Sequence, residues 1–182
     1  MTESSSVNGA PTPKVFAFII GINEYFSSDY LFPLQGAVND AKEFERYLLD
    51  PREQRGLGVP PSNIVVLLDE QATRANILAT FQSHFIDNPD IPDKGNAAMI
   101  FFYAGHGCRA NAPYNMINRD GLVEAICPVD QRTWNAEGNY VYAIPDYVLG
   151  WLLKELAEKK GNNITVIFDA CHSGGMGRDG GK

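Results

Sequence analysis

The stretch Ile164-Thr165-Val166-Ile167-Phe168-Asp169-Ala170-Cys171-His172-Ser173-Gly174-Gly175 decides how this chain is read. Its apolar and β-branched half has the composition of a strand buried on both faces. The strand then opens into a turn of small residues that presents a thiol. An earlier run, residues 97–103, opens in the same way into Ala104-Gly105-His106-Gly107. In open α/β sheets, ligands bind beyond the carboxyl ends of parallel strands. If the two strands are neighbours, His106 and Cys171 meet there as general base and nucleophile.

Working outward, residues 15–22 form a continuous apolar run, too short for a membrane and suited to a buried strand. A loop rich in aromatics follows, and then Ala37, Val38, Ala41, Phe44 and Leu48 recur at helical spacing. Asp50-Pro51 and Gly56-Leu57-Gly58 break that helix. Residues 64–68 read as a second strand, and Ile77, Leu78, Phe81 and Phe85 as the buried stripe of a second helix. Residues 97–103 are the third strand. Residues 123–128 and 140–144 are expected to pair as a small β-hairpin, and Pro145 to open a third helix that buries Val148, Leu149, Leu152, Leu153 and Leu156. The order predicts one α/β domain, a mainly parallel sheet of four strands with right-handed crossovers. Residues 1–13 read as a disordered arm, 14–173 as the catalytic domain and 174–182 as a mobile Gly-rich segment.

Composition narrows the function. The chain has 182 residues, 45% of them apolar, enough for one domain with a sizeable core. A formal charge of −7 disfavours nucleic acid and suits a cationic substrate or simple solubility. Three cysteines, an odd and sparse set, suggest a reducing compartment such as the cytoplasm. The N-terminal residues are too polar for a signal peptide or a membrane span. Asn163-Ile164-Thr165 matches a glycosylation acceptor but enters a buried strand. No spacing suits zinc. Gly175-Met176-Gly177-Arg178-Asp179-Gly180 matches a dinucleotide fingerprint only formally, since no helix follows it.

A free cysteine is most often a small buried hydrophobe, and Cys108 and Cys127 are read that way. Cys171 differs: it lies past its strand, in a turn whose N–H groups can favour a thiolate. His106 stands between glycines that permit close approach to a ligand, whereas His84 reads as a packing residue on a helix. His172 competes as base, but side chains adjacent on an extended turn point apart. The N–H groups of Gly107 and Cys171 are candidate oxyanion donors. Asp40, at the start of the first helix, serves either the helix dipole or a ligand. Asp169 shares a strand face with Cys171, where a carboxylate suits a cationic group near the scissile bond.

These residues resemble a known family. Tyr103-Ala104-Gly105-His106-Gly107 and Asp169-Ala170-Cys171-His172-Ser173-Gly174 look like the His and Cys boxes of metacaspases, the caspase-fold cysteine peptidases of fungi, plants and protists. Ile20-Gly21-Ile22-Asn23, Leu34-Gln35-Gly36-Ala37-Val38-Asn39-Asp40, and Asp120-Gly121 through Pro128-Val129-Asp130 extend the likeness in the family's order over residues 14–176. Animal caspases carry Gln where Asp169 stands. The resemblance implies hydrolysis after Arg or Lys, with Asp40 and Asp169 lining the S1 pocket and no cofactor for the chemistry. Ala104 replaces a usual serine, and Ala37 a frequent cysteine. Many members are activated by calcium through loop aspartates. Here Val123 stands where a second acid would be, Pro145-Asp146 replaces an Asp-Asp pair, and Arg178-Asp179 shifts another acid, which weakens the case for Ca2+ activation.

A caspase-type sheet has six strands, so the resemblance implies a small p10-like subunit from the same precursor that adds the rest. Gly180-Gly181-Lys182 fits a linker cut by a basic-P1 enzyme, and Lys182 is therefore the expected processing site. Two other readings are a catalytically silent interaction module and another peptidase of the same clan. The intact His106 and Cys171 speak against the first. A nucleotide-binding domain would need a phosphate loop after the first strand, where the acidic and aromatic Gly21-Ile22-Asn23-Glu24-Tyr25-Phe26 stands instead.

Overall fold

Runs of apolar residues without polar alternation need cover on both faces, and a parallel sheet between helices supplies it. A computed structural model describes residues 14–111 and 121–170. Its elements are β1 (Val15–Gly21), α1 (Ala37–Leu49), β2 (Ile64–Leu68), α2 (Arg74–Phe81), β3 (Ala98–Ala104), β4 (Gly107–Asn111), β5 (Leu122–Ile126), β6 (Ile144–Pro145), α3 (Asp146–Lys160) and β7 (Ile164–Asp169). The main sheet has the order β2-β1-β3-β7, and every pair in it is parallel.

From β1 the chain crosses to β2 on one side, then returns past β1 to β3 and on to β7. A constant hand of crossover puts helices for opposite directions on opposite faces. The packing agrees. Ala37, Ala41 and Leu48 of α1 share a core with Ala17, Ile19, Phe102 and Ala104, while α2 and α3 pack with Phe16, Phe18, Phe101 and Tyr103 on the other face. The reversal of direction lies between β1 and β3, the switch point at which such sheets open a crevice.

Aromatic rings fill the α2–α3 side edge to face, Phe18 against Phe101 at 5.6 Å and Phe81 against Phe101 at 5.7 Å. On the α1 side, Phe44 stacks on Phe102 at 4.7 Å. At the end of β1, a Cβ on Gly21 would stand 2.6 Å from the Cβ of Ala41, so α1 can press onto the strand only because this residue is glycine. Helix α2 ends in a single π turn, Gln82–Ile86. There the buried His84 has its Nε2 3.0 Å from the carbonyl of Ala17, and burial lowers its pKa, in keeping with a packing role. At the far end of α3, the buried Lys160 donates to Asp93 at 2.6 Å and to the carbonyl of Ile91 at 2.8 Å.

Three expectations are corrected. The hairpin of residues 123–128 with 140–144 is mostly replaced by a three-stranded antiparallel sheet, β4-β5-β6. Five residues of β5 pair with β4 and only two with β6, while Tyr140 bridges Trp134 instead. The strand starting at Gly107 was missed because Cys108-Arg109-Ala110-Asn111 is short, with only small apolar residues and no β-branched or aromatic one; its pairing is supplied by β5. Pro145 is the cap residue before α3, one position earlier than expected, and its fixed φ of −68° suits that place. The third strand runs one residue later than expected, Ala98–Ala104. The segments 1–13 and 174–182 lie outside the described residues.

Candidate active site

Strands β3 and β7 are hydrogen-bonded neighbours, with Ala104 opposite Asp169 and Gly105 N–H donating to the carbonyl of Asp169 at 3.2 Å. The turn bearing His106 therefore stands beside the point where the chain leaves β7 toward Cys171. Cys171 and Lys182 themselves lie outside the described residues. His106 is the second residue of the two-residue step between β3 and β4, and four contacts hold it. Its N–H donates to the hydroxyl of Tyr25 at 2.8 Å, and its carbonyl accepts from the N–H of Cys127 at 3.0 Å. The Tyr103 hydroxyl lies within donating distance of the carbonyls of His106 (2.7 Å) and Cys127 (3.0 Å). The fourth contact is to the ring, whose Nε2 is 2.7 Å from the carbonyl of Phe32.

That last contact decides the tautomer. A carbonyl only accepts, so Nε2 carries the proton and a neutral ring keeps Nδ1 as its basic nitrogen. The Tyr25 ring packs against the imidazole at 5.1 Å and limits its rotation. Burial raises the pKa of both Tyr25 and Tyr103, so their hydroxyls stay protonated and available as hydrogen-bond groups.

Gly105 makes this arrangement possible. A Cβ there would stand 2.7 Å from the Tyr103 hydroxyl and 2.9 Å from that of Tyr25, on rings too buried to move aside. Gly105→Ala is expected to cost about 1–3 kcal/mol of stability by overpacking. It should also loosen His106. Urea denaturation measures the first effect, and an unchanged midpoint would refute it.

The loop carrying Tyr25 and Phe32 is tied at its start. Asp69, in a left-handed conformation (φ 42°), accepts through one carboxylate oxygen from the N–H of Asn23 at 2.7 Å and of Glu24 at 3.1 Å. The Asn23 side chain accepts from Val38 N–H at 3.2 Å, and its carbonyl accepts from Leu34 N–H at 2.8 Å. One residue pair thus holds both the aromatic loop and the start of α1.

Asp40 lies in the first turn of α1 and is half-buried, its carboxylate curled toward Gly36 at the helix start. Asp169, the last residue of β7, is exposed. Alternation along β7 puts Ile167 in the α1-side core and Val166 in the opposite one, so Asp169 faces the α1 side. The fold thus brings both acids to the same side of the sheet at its carboxyl end. Gly107 pairs with Ile126. Because the adjacent pair is joined by Cys127 N–H to the His106 carbonyl, Gly107 falls at a non-hydrogen-bonded position, its N–H turned away from β5.

The chain matches the sequence model of the metacaspase, peptidase C14 domain over residues 16–177. It belongs to the metacaspase family. It is 34% identical to Metacaspase-1A of Aspergillus niger over 169 residues, covering 90% of this chain and 36% of that protein. With Metacaspase-1 of Mycosarcoma maydis it shares 32% identity over 179 residues, 94% of this chain and 38% of that protein. The chain thus spans just over a third of the length of these curated relatives. A crystal structure of a protein from Geobacter sulfurreducens superposes with a TM-score of 0.59 at 20% identity, over 90% of this chain and 52% of that one, a likeness of fold.

Among the described residues of this metacaspase no group of three His, Cys, Asp or Glu side chains is placed to hold a metal ion. Val123, where the resemblance would put a calcium acid, is a core residue of β5 whose side chain carries no oxygen. Nor is any described helix long and apolar enough to cross a membrane.

Cys108 and Cys127, both free thiols, flank the site on β4 and just past β5. The hydrogen bond from Cys127, the Gln131 amide 3.7 Å away and the charge of Arg132 pull the Cys108 thiol down to about 7 against its burial. The same thiol contact, burial and the neighbouring charge push Cys127 up. In a Cys171→Ala background, Cys108 should therefore be the thiol alkylated by iodoacetamide at neutral pH. Below its pKa the reactive thiolate is lost, so the rate should fall on the order of tenfold per pH unit. Peptide mass mapping checks this, and a rate that rises only above pH 8 would contradict it.

Tyr25, Phe32, Tyr103, Asn23 and Asp69 were given no site role from sequence, although Asn23, Tyr25 and Tyr103 fall inside stretches named there. Tyr25 and Phe32 had one signal, the concentration of aromatics after β1. The contribution of Phe32 is a backbone carbonyl and has no side-chain signature.

Proposed function

We propose that this metacaspase domain carries the catalytic dyad of a cysteine endopeptidase that cleaves peptide bonds after Arg or Lys. The observation that carries the reading is a basic imidazole nitrogen at the end of β3 with no partner among the described residues, next to the strand that leads to Cys171. In this mechanism the Cys171 thiol passes its proton to Nδ1 of His106, and the thiolate attacks the scissile carbonyl carbon. The oxyanion takes hydrogen bonds from the N–H groups of Gly107 and Cys171. His106 then returns the proton to the leaving amine as the C–N bond breaks, leaving a thioester on Cys171. Water, deprotonated by His106, attacks the thioester. The acid leaves and the thiol is restored.

Asp40 and Asp169 supply the preference for a cation at P1, Arg offering a planar fork and Lys a point charge. Calcium has no step in this scheme. Among the described residues the outer edge of β7 has no strand against it, which supports the docking of a small p10-like subunit of the same precursor. Lys182, after two glycines, is the proposed site of self-processing. The free thiols of Cys108 and Cys127 suit a reducing, cytoplasmic setting.

The test uses the full-length protein and fluorogenic peptides with Arg, Lys or Asp at P1, with and without calcium. Cleavage after Arg and Lys alone is expected, along with intact-mass products that end at Lys182. Efficient cleavage after Asp would overturn the specificity. A Cys171→Ala precursor cut at Lys182 as fast as the native one when purified alone would overturn self-processing.

A further inference from the structure

We infer that the exposed ring of Phe32 forms the binding surface for the substrate residue that follows the scissile bond, so that the enzyme favours an apolar or aromatic side chain there. This inference rests on the proposed peptidase mechanism. Phe32 is 72% exposed, although its neighbour Leu31 is buried at 1% and its own carbonyl is tied to His106 Nε2 at 2.7 Å. Its position is therefore set by the base, while its ring stays free.

Strand order gives the direction. The sheet runs β1-β3-β7, so the loop after β1, the His106 turn after β3 and the exit of β7 toward Cys171 stand in a row along its carboxyl edge. The acyl half of the substrate becomes bonded to Cys171. The leaving amine must lie where His106 can protonate it, so the chain continuing from that amine runs toward the loop after β1. The first side chain it carries meets Phe32 at the switch-point crevice between β1 and β3. The same loop carries two further exposed rings, Phe26 at 57% and Tyr30 at 52%. They are not loose. Phe26 N–H donates to the carbonyl of Val129 at 2.9 Å, and the Arg132 guanidinium sits 4.6 Å over the Tyr30 ring. These rings are held in place, with the Arg132 charge on the Tyr30 side, whereas the acids stand on the α1 side.

Full-length protein should be given internally quenched peptides with Arg fixed before the scissile bond and Phe, Leu, Gly or Asp after it. Native enzyme is expected to favour Phe and Leu over Gly and Asp in kcat/KM by about tenfold or more, the range a hydrophobic pocket supplies. Phe32→Ala should shrink that ratio to below about threefold and Phe32→Leu should keep most of it. The ratio is taken within each variant, so any general loss of turnover cancels. A flat profile in native enzyme, or a preference unchanged in Phe32→Ala, overturns the inference and leaves the peptidase reading standing if cleavage still depends on Cys171. Cleavage that survives Cys171→Ala, or none at all, overturns both.

Discussion

Cys171→Ala in the full-length protein is expected to lower kcat/KM by about 10,000-fold or more, and His106→Ala by a similar factor. The two residues act as one unit, so the double variant should lose little beyond either single one. His172→Ala should keep most of the activity. The physical ground is the hydrogen-bonded pairing of β3 with β7, together with the pinned Nε2 that leaves Nδ1 as the proton acceptor. His106→Ala should fold, because His106 is only half-buried and its backbone contacts do not require the imidazole. Nitrogen chemical shifts of the native ring supply an independent check: Nε2 should be the protonated nitrogen of the neutral ring. Normal turnover in either single variant, or a proton on Nδ1, would refute the assignment.

The second large effect concerns charge. Asp169→Ala and Asp40→Ala should each lower kcat/KM for Arg and Lys substrates by roughly 30-fold or more. Truncating one partner of a buried, hydrogen-bonded charge pair costs about 2–5 kcal/mol. Asp169 is exposed and Asp40 half-buried in the free chain, so water solvates both until a substrate cation covers them. The loss should therefore appear in substrate turnover and not in stability. Urea midpoints of both variants should stay near the native value. Glu158→Ala, exposed on α3 and paired with Lys154 at 3.8 Å, is the control and should change little. If the Asp169 and Asp40 variants cleaved Arg substrates as well as the control does, the S1 assignment would be wrong.

Legibility in the sequence followed the range of the interaction. Each strand of the main sheet is a local apolar run, so its existence could be read directly, and burial on both faces implied parallel pairing. Asp169 could be assigned a strand position because side chains alternate with a fixed period. The small sheet was less legible. β4 begins at Gly107 and carries Arg109 and Asn111, and only its pairing with β5 makes it a strand. Exposure along β7 shows a similar dependence: Phe168 reads as core but is 48% exposed at the open edge.

The chemistry of His106 shows where sequence alone stops. Its place at the tip of a strand, between two glycines, was set by residues 103–107 and could be recognised from them. Which ring nitrogen is basic was not, because that depends on a carbonyl at Phe32, brought in from the loop after β1. Every residue has a carbonyl, so no pattern of side chains marks the one that will orient a base. The same holds for Asp69, an ordinary turn acid until its carboxylate closes on Asn23 and Glu24. By itself the sequence determined the reactive residue types, the strands that carry them and the turns that expose them, since all three follow from local composition and period. Only the tertiary structure decided which strands are neighbours, which face each acid shares and which nitrogen can take a proton, because those depend on distances between segments far apart in the chain.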